Sequence, residues 1–278
     1  MNRRRTLLLL LALTLAVMPL AGCGRNGGAA SKTQLNVTGS TTILPIAEIA
    51  GEDFQTAHPA VRVLVSGVGS SAGIEAVTNG TAEIGTSSRE LKPEEASLGL
   101  VDTKIARDAI AVIVNPANTV TSLTTSQVAD IFAGKIVNWS QLGGRDLPIG
   151  LVNRDEASGT RDAFSKLVLK DLDFDPTAAV LPGTGQVRSV VAQSESAIGY
   201  ISLGFVDKTV KALVIDTVTP SEKTVADGSY PLSRVLHFFT KGAPTGLAKE
   251  YIDFVLSAKV QDTVVRDAGF LPIAEGGK

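Results

Sequence analysis

The chain predicts an α/β fold, on three observations. Short β-branched runs alternate with stretches whose apolar residues recur at helical spacing. Turns rich in Gly, Ser and Thr separate the two kinds of segment. A hydrophobic fraction of 44% against a charged fraction of 19% over 278 residues can fill a core and excludes global disorder. Strands alternating with helices imply largely parallel pairing.

Taken in order, Leu35 to Val37 reads as a short strand. Ile43, Ile46, Ala47, Ala50 and Phe54 recur at helical spacing and predict a helix over 43–57, ending at His58-Pro59. Val61, Val63 and Val65 alternate as a strand. A helix near 71–79 and a short strand at Glu83-Ile84 follow. Ile110 to Val114 is an apolar strand that stops at Asn115-Pro116. Thr124-x-x-Gln127 has the form of a capping box ahead of Val128, Ile131 and Phe132. Trp139 reads as a packing residue near a turn. Leu147 to Val152 predicts a strand and Thr160 to Lys170 a helix. Val187 to Ala192 is helical; Ile198–Ser202, Leu213–Ile215 and Val235–Thr240 are strands. Two helices near 244–257 and 259–268 close the chain. No internal repeat is visible.

Composition excludes several functions. With 26 basic and 28 acidic residues the net charge is −2, without the basic surplus of a nucleic-acid binder. One Cys makes neither an intramolecular disulfide nor a Cys-based zinc site. The two His, His58 and His237, leave little for a His-based metal centre. No cofactor and no metal are expected.

The N-terminus reads as an export segment over 1–22. Arg3, Arg4 and Arg5 precede an apolar run from Leu7 to Ala21, whose 15 residues fall short of the roughly 17–25 that span a membrane. Leu20-Ala21-Gly22-Cys23 resembles a bacterial lipoprotein signal, which implies cleavage before Cys23 and acylation of its sulfur. That places the protein outside the cytoplasm, lipid-anchored to the cell membrane and facing the periplasm or cell exterior. Residues 23–33 then form a small, polar, lipidated tether. Removing residues 1–22 takes the net charge from −2 to −5 and leaves 256 residues, enough for one large domain or two small ones.

In an open α/β sheet, ligands sit beyond the carboxyl ends of strands, where helices begin. Four such turns share one composition: Gly39-Ser-Thr-Thr42, Gly67-Val-Gly-Ser-Ser71, Gly85-Thr-Ser-Ser-Arg89 and Asn153-Arg-Asp-Glu-Ala-Ser-Gly-Thr160. Each offers hydroxyls and free first-turn amides, which suit an oxyanion. Ser and Thr are also ordinary N-caps, so one such turn alone says little; four at four strand–helix junctions say more. In the last turn, Ser158 can cap the helix and Gly159 allows close backbone approach. The planar fork of Arg154 matches a tetrahedral oxyanion. Glu156 is placed to orient that guanidinium and offset part of its charge. Arg154 is the one full positive charge expected in the site, and Arg89 is expected to pair with Glu90 or Asp108.

These turns resemble those of the phosphate-binding proteins of bacterial ABC phosphate importers. The similarity runs through Thr38–Pro45, Gly67–Gly73, Ile84–Glu90, Asn153–Thr160, Ala197–Tyr200 and Phe239–Gly242, with Arg-x-x-x-Ser-Gly-Thr the most diagnostic. The resemblance implies a two-domain periplasmic-binding-protein-like fold of type II, with the ligand in a cleft between the domains. It implies a first, discontinuous domain from residues 34–114 and 231–278 and a second from 115–230, with hinge strands at Ala109–Pro116 and Tyr230–Thr240. It carries phosphate contacts onto Thr41, Thr42, Ser70, Ser88, Arg154, Ser158, Gly159 and Thr160, with Ser40 and Ser71 as secondary contacts. It further implies a non-enzymatic, monomeric receptor that docks on ABC permease subunits. One departure stands out. Some family members have Asp where this chain has Ser88; that carboxylate accepts the proton of hydrogen phosphate and repels sulfate, whereas Ser88 carries no charge.

Other readings stay open at this stage. The same donor set suits sulfate or molybdate. Gly69-Ser-Ser-Ala-Gly73 has the G-x-S-x-G form of a hydrolase nucleophile elbow, with Ser71 as nucleophile and His237 later in the chain. That elbow arrives after too few strands, and His237 lies in a β-like run. Gly67-x-Gly-x-x-Ala72 is a weak dinucleotide fingerprint.

Overall fold

The computed structural model describes residues 33–273. The predicted export segment 1–22, Cys23 and the tether through residue 32 lie outside the described residues. No described helix is long and apolar enough to cross a membrane.

The described chain begins with strand β1 (Thr33–Gly39), helix α1 (Leu44–Ala57), β2 (Val61–Gly67), α2 (Ser70–Thr78) and β3 (Ile84–Ser87). β1 pairs in parallel with both β2 and β3. α1 carries Pro45 in its first turn, where the missing N–H is harmless. It buries Ile46, Ala47, Ala50 and Phe54, one face at helical spacing. It ends at His58, whose ring stacks on Phe54 at 4.1 Å. β4 (Leu100–Val114) follows, 15 residues long.

Next come β5 (Ser122–Leu123), α3 (Thr125–Phe132), β6 (Gly150–Arg154), α4 (Gly159–Phe164), β7 (Ala179–Leu181), α5 (Thr184–Gln193) and β8 (Ala197–Ser202). The expected capping box opens α3: Gln127 N donates to Thr124 Oγ1 at 3.1 Å, and Thr124 N to Gln127 Oε1 at 2.8 Å. Trp139 is buried, and its Nε1 donates to the Ser196 carbonyl at 2.9 Å. The chain continues through β9 (Lys211–Ala212), β10 (Val214–Ile215), α6 (Glu222–Ala226), β11 (Ser233–Lys241), α7 (Gly246–Leu256), α8 (Ala258–Val260) and β12 (Leu271–Pro272). The predicted helix 160–170 is α-helical only to Phe164 and finishes as a wider π-turn over Ser165–Leu169. The predicted strand from Leu147 begins at Gly150.

The main sheet runs β2-β1-β3-β11-β4-β8-β6-β7, with β9 and β12 also on β4. Pairing is not largely parallel as expected. β11 is antiparallel to β3 and to β4, and β8 is antiparallel to β4. β11 returns to the first half of the sheet after the chain has built the second, so it runs back between β3 and β4. The parallel pairs are confined to the two flanks.

β4 contributes to three buried apolar clusters. Ile105 and Ala106 pack with Leu35, Val37, Phe54 and Leu236. Beyond Ala109, Ile110, Val112 and Val114 face a core with Phe132, Phe164 and Tyr200, while Ala111 and Ile113 face Val187 and Val191 of α5. That explains the unbroken apolar run Ile110–Val114: both faces of this stretch are covered.

Candidate functional site

The four small-residue turns converge where the two halves of the sheet meet. On the β1–β3 side they are stitched by backbone bonds. Gly39 has φ of +145°, and a Cβ on it would lie 2.1 Å from the Thr86 carbonyl oxygen, so only glycine fits. Ser40 N donates to that carbonyl at 3.0 Å and to Thr86 Oγ1 at 2.7 Å. Val68 N and Gly69 N both donate to the Gly39 carbonyl at 2.8 Å. Ser88 N donates to Ser70 Oγ at 3.1 Å, and the two side-chain oxygens lie 3.4 Å apart.

The β6–β8 side meets this cluster directly. Ser158 caps α4 by accepting from Arg161 N at 3.2 Å. Ser71 N donates across to the Ala157 carbonyl at 3.1 Å. Thr42 and Thr160 hydroxyls are 3.2 Å apart, and those of Thr41 and Thr184 3.0 Å. Arg154 ends β6 and is 1% exposed. Its Nη2 donates to Thr41 Oγ1 at 3.3 Å and the Pro182 carbonyl at 2.9 Å; Nη1 donates to Thr184 Oγ1 at 3.3 Å and Nε to the Leu181 carbonyl at 3.1 Å. Thr42, Ser70, Ser88, Ser158 and Thr160 are each at most 1% exposed.

The electrostatics follow from burial. Every hydrogen-bond partner of the Arg154 guanidinium among the described residues is a carbonyl or hydroxyl. Burial, helped by the charge of Arg234, lowers its pKa from the ordinary arginine value, against the pull of Asp155 and Tyr200. A desolvated cation without a carboxylate is costly alone and favours an anion beside it. Behind it, Tyr200 donates to Asn153 Oδ1, and burial pushes the phenol pKa up.

A family model for the PBP superfamily domain matches residues 25–259. The phosphate-binding protein PstS of Bacillus subtilis (strain 168) is 34% identical over 98% of this chain and 96% of that relative. The chain belongs to the PBP superfamily, among its phosphate-binding proteins. The PstS of Borreliella burgdorferi is 30% identical over 86% of this chain and 90% of its own. A proposed phosphate ABC transporter substrate-binding protein of Clostridium perfringens, solved with bound phosphate, superposes with a TM-score of 0.83 at 39% identity, covering 87% of this chain and all of that one. An ABC-type phosphate transport receptor from Vibrio cholerae gives 0.73 at 34% identity, with 86% and 100% covered.

In this PBP-superfamily chain, some sequence expectations need correction. Glu156 does not orient Arg154: it is exposed, while the guanidinium runs inward to the Leu181 and Pro182 carbonyls. Arg154 is not the sole guanidinium. Arg234 of β11 donates to Thr160 Oγ1 at 2.9 Å and Thr42 Oγ1 at 3.3 Å, but is paired with Asp108 at 2.8 Å. Arg89 pairs with Glu95 at 2.6 Å and Asp162 at 2.8 Å, rather than with Glu90 or Asp108. Ser40 Oγ accepts from Thr42 N at 3.2 Å, and Ser71 Oγ accepts from Arg89 Nη2 at 3.1 Å.

The rival motifs lose their chemistry here. Ser71 faces a guanidinium, which is no general base, and His237 Nδ1 bonds Asp102 at 2.8 Å. The Val68 and Gly69 amides of the glycine-rich turn are spent on the Gly39 carbonyl. Arg234 and Thr184 escaped the sequence reading, and Asp108 entered it only as a partner for Arg89. Arg234 and Asp108 sit directly opposite each other on β11 and β4; that signal exists only once the strand pairing is known.

Proposed function

We propose that this chain is an extracytoplasmic receptor that captures inorganic phosphate in a cleft between two lobes and delivers it to an ABC importer. The observation that carries the reading is Arg154: a buried guanidinium, bonded to hydroxyls and carbonyls and, among the described residues, to no carboxylate. A tetrahedral dianion supplies the missing negative charge. Its oxygens take donors from Thr41, Thr42, Ser70, Ser88, Ser158 and Thr160 and from the Gly159 amide, replacing the lost water shell.

The lobes are residues 34–114 with 231–278, and residues 115–230. The change of core along β4 near Ala109 supports a hinge there, and closure assembles donors contributed by both lobes. The receptor acts as a monomer, held to the membrane by lipid on Cys23 and presenting phosphate to permease subunits.

Calorimetry with phosphate, sulfate and molybdate tests the reading. Heat with phosphate in preference to the other two is the expected result. Tighter sulfate or molybdate binding, which the uncharged Ser88 leaves chemically open, reassigns the ligand. No heat with any of the three overturns the function.

A further inference from the structure

The Arg234–Asp108 pair has no part in the mechanism so far. Both residues are buried, at 9% and 1% exposed. Asp108 Oδ2 accepts from Arg234 Nε at 2.9 Å and Nη2 at 2.8 Å, and its Oδ1 accepts from Ser202 Oγ at 2.8 Å. Its carboxylate offsets the Arg234 charge within the pair. The remaining guanidinium N–H groups are committed elsewhere. Nη1 donates to Thr160 Oγ1 at 2.9 Å and to the Ser88 carbonyl at 3.3 Å; Nη2 donates to Thr42 Oγ1 at 3.3 Å.

A threonine hydroxyl has one proton and accepts through its oxygen. Arg234 has no acceptor, so a hydroxyl facing it can only accept from it and must send its own proton elsewhere. Thr42 precedes α1 and Thr160 lies in α4, one on each side of the site. Their oxygens are 3.2 Å apart, within hydrogen-bond distance, so one hydroxyl can donate to the other but not both at once. With Arg234 donating to both oxygens, the second proton must find another acceptor, and an anion oxygen beside the pair can take it or both.

We propose that Arg234, held by Asp108, is a positioning residue for anion capture. It fixes the Thr42 and Thr160 hydroxyls as donors and ties the Ser88 loop to the opposite side. This inference rests on the phosphate-receptor reading and adds a specificity device to the same site. A fork that reaches two hydroxyls and a carbonyl is a guanidinium property; a lysine at 234 keeps the charge on Asp108 but not that reach.

Two variants test it by phosphate calorimetry beside a thermal melt. Arg234→Lys keeps an ion pair. The D108L/R234M double variant replaces the pair by apolar groups of similar size, a change that buried ion pairs often tolerate without loss of stability. Each variant is expected to fold and to bind phosphate at least tenfold more weakly. The discriminating readout is a double-mutant cycle. Thr160→Val is expected to cost at least tenfold in the wild-type background and under threefold in D108L/R234M, because the hydroxyl helps only when Arg234 sets it. Wild-type affinity in either folded variant, or additive losses in the cycle, overturns the inference and leaves the receptor reading standing. Wild-type protein that binds no phosphate, with Arg154→Met no different, overturns both.

Discussion

A Cβ placed on Gly159 would lie 2.2 Å from the Ser70 side-chain oxygen. The two residues start helices on opposite sides of the site, so this contact marks how closely those sides approach. Gly159→Ala therefore inserts a methyl where no space exists. Overpacking costs about 1–3 kcal/mol, and here that strain falls on the approach of the two sides. Phosphate affinity should drop roughly five- to 150-fold, as read by calorimetry.

Arg154→Met separates binding from stability. The change removes a buried cation with no bonded carboxylate among the described residues. Burying such a charge is costly, so the ligand-free variant should melt no lower than wild type. Phosphate at 100 times Kd should stabilise the wild type by about 2.7 kcal/mol and the variant not at all. A variant that still shifts with phosphate refutes the assigned role.

Ion pairs bridge residues 89–95 with α4 and the π-turn that follows it. Asp162 takes Arg89 Nε at 2.8 Å and Lys92 Nζ at 3.1 Å, while Lys166 reaches Glu90 at 3.0 Å. Asp162→Asn should speed phosphate release several-fold in stopped-flow measurements, and high salt should shrink the difference. Lys166→Ala should change the release rate less than twofold, because both partners of its pair are more than 70% exposed and such pairs contribute little.

Acid stability should depend on Glu95. Burial raises its pKa, but hydrogen bonds from Arg89 and from Lys92 N, with the charges of both residues, outweigh burial and hold it below the usual glutamate value. A depressed carboxylate stabilises the fold above its unfolded pKa and loses that contribution as pH falls through the lower, folded value. Urea midpoints followed from neutral pH into that acidic range should therefore fall less steeply for Glu95→Gln than for wild type. Parallel slopes would count against the linkage.

Much of the fold was legible because local signals agreed with it. The α1 face, the capping box at Thr124 and the apolar run Ile110–Val114 need no knowledge of partners. The first half of β4 was not legible: Val101-Asp-Thr-Lys104 has neither a helical face nor a clean alternation, and becomes strand through pairing with β11. The turns around Thr41, Ser70, Ser88 and Ser158 were found because residues within each turn are adjacent in sequence. Arg234 was missed because its value depends on Asp108, 126 positions away and aligned with it only in the sheet. Glu156 misled because proximity in sequence to Arg154 says nothing about which way each side chain leaves the turn.

One strand, β4, supplies residues to the apolar clusters of both halves of the sheet without a break at Ala109 and Ile110. Neither half can melt while the other keeps its full complement of β-sheet neighbours. Heat should consequently dismantle the described region in a single cooperative step, with matching calorimetric and van't Hoff enthalpies, even though the polypeptide visits the two halves in turn.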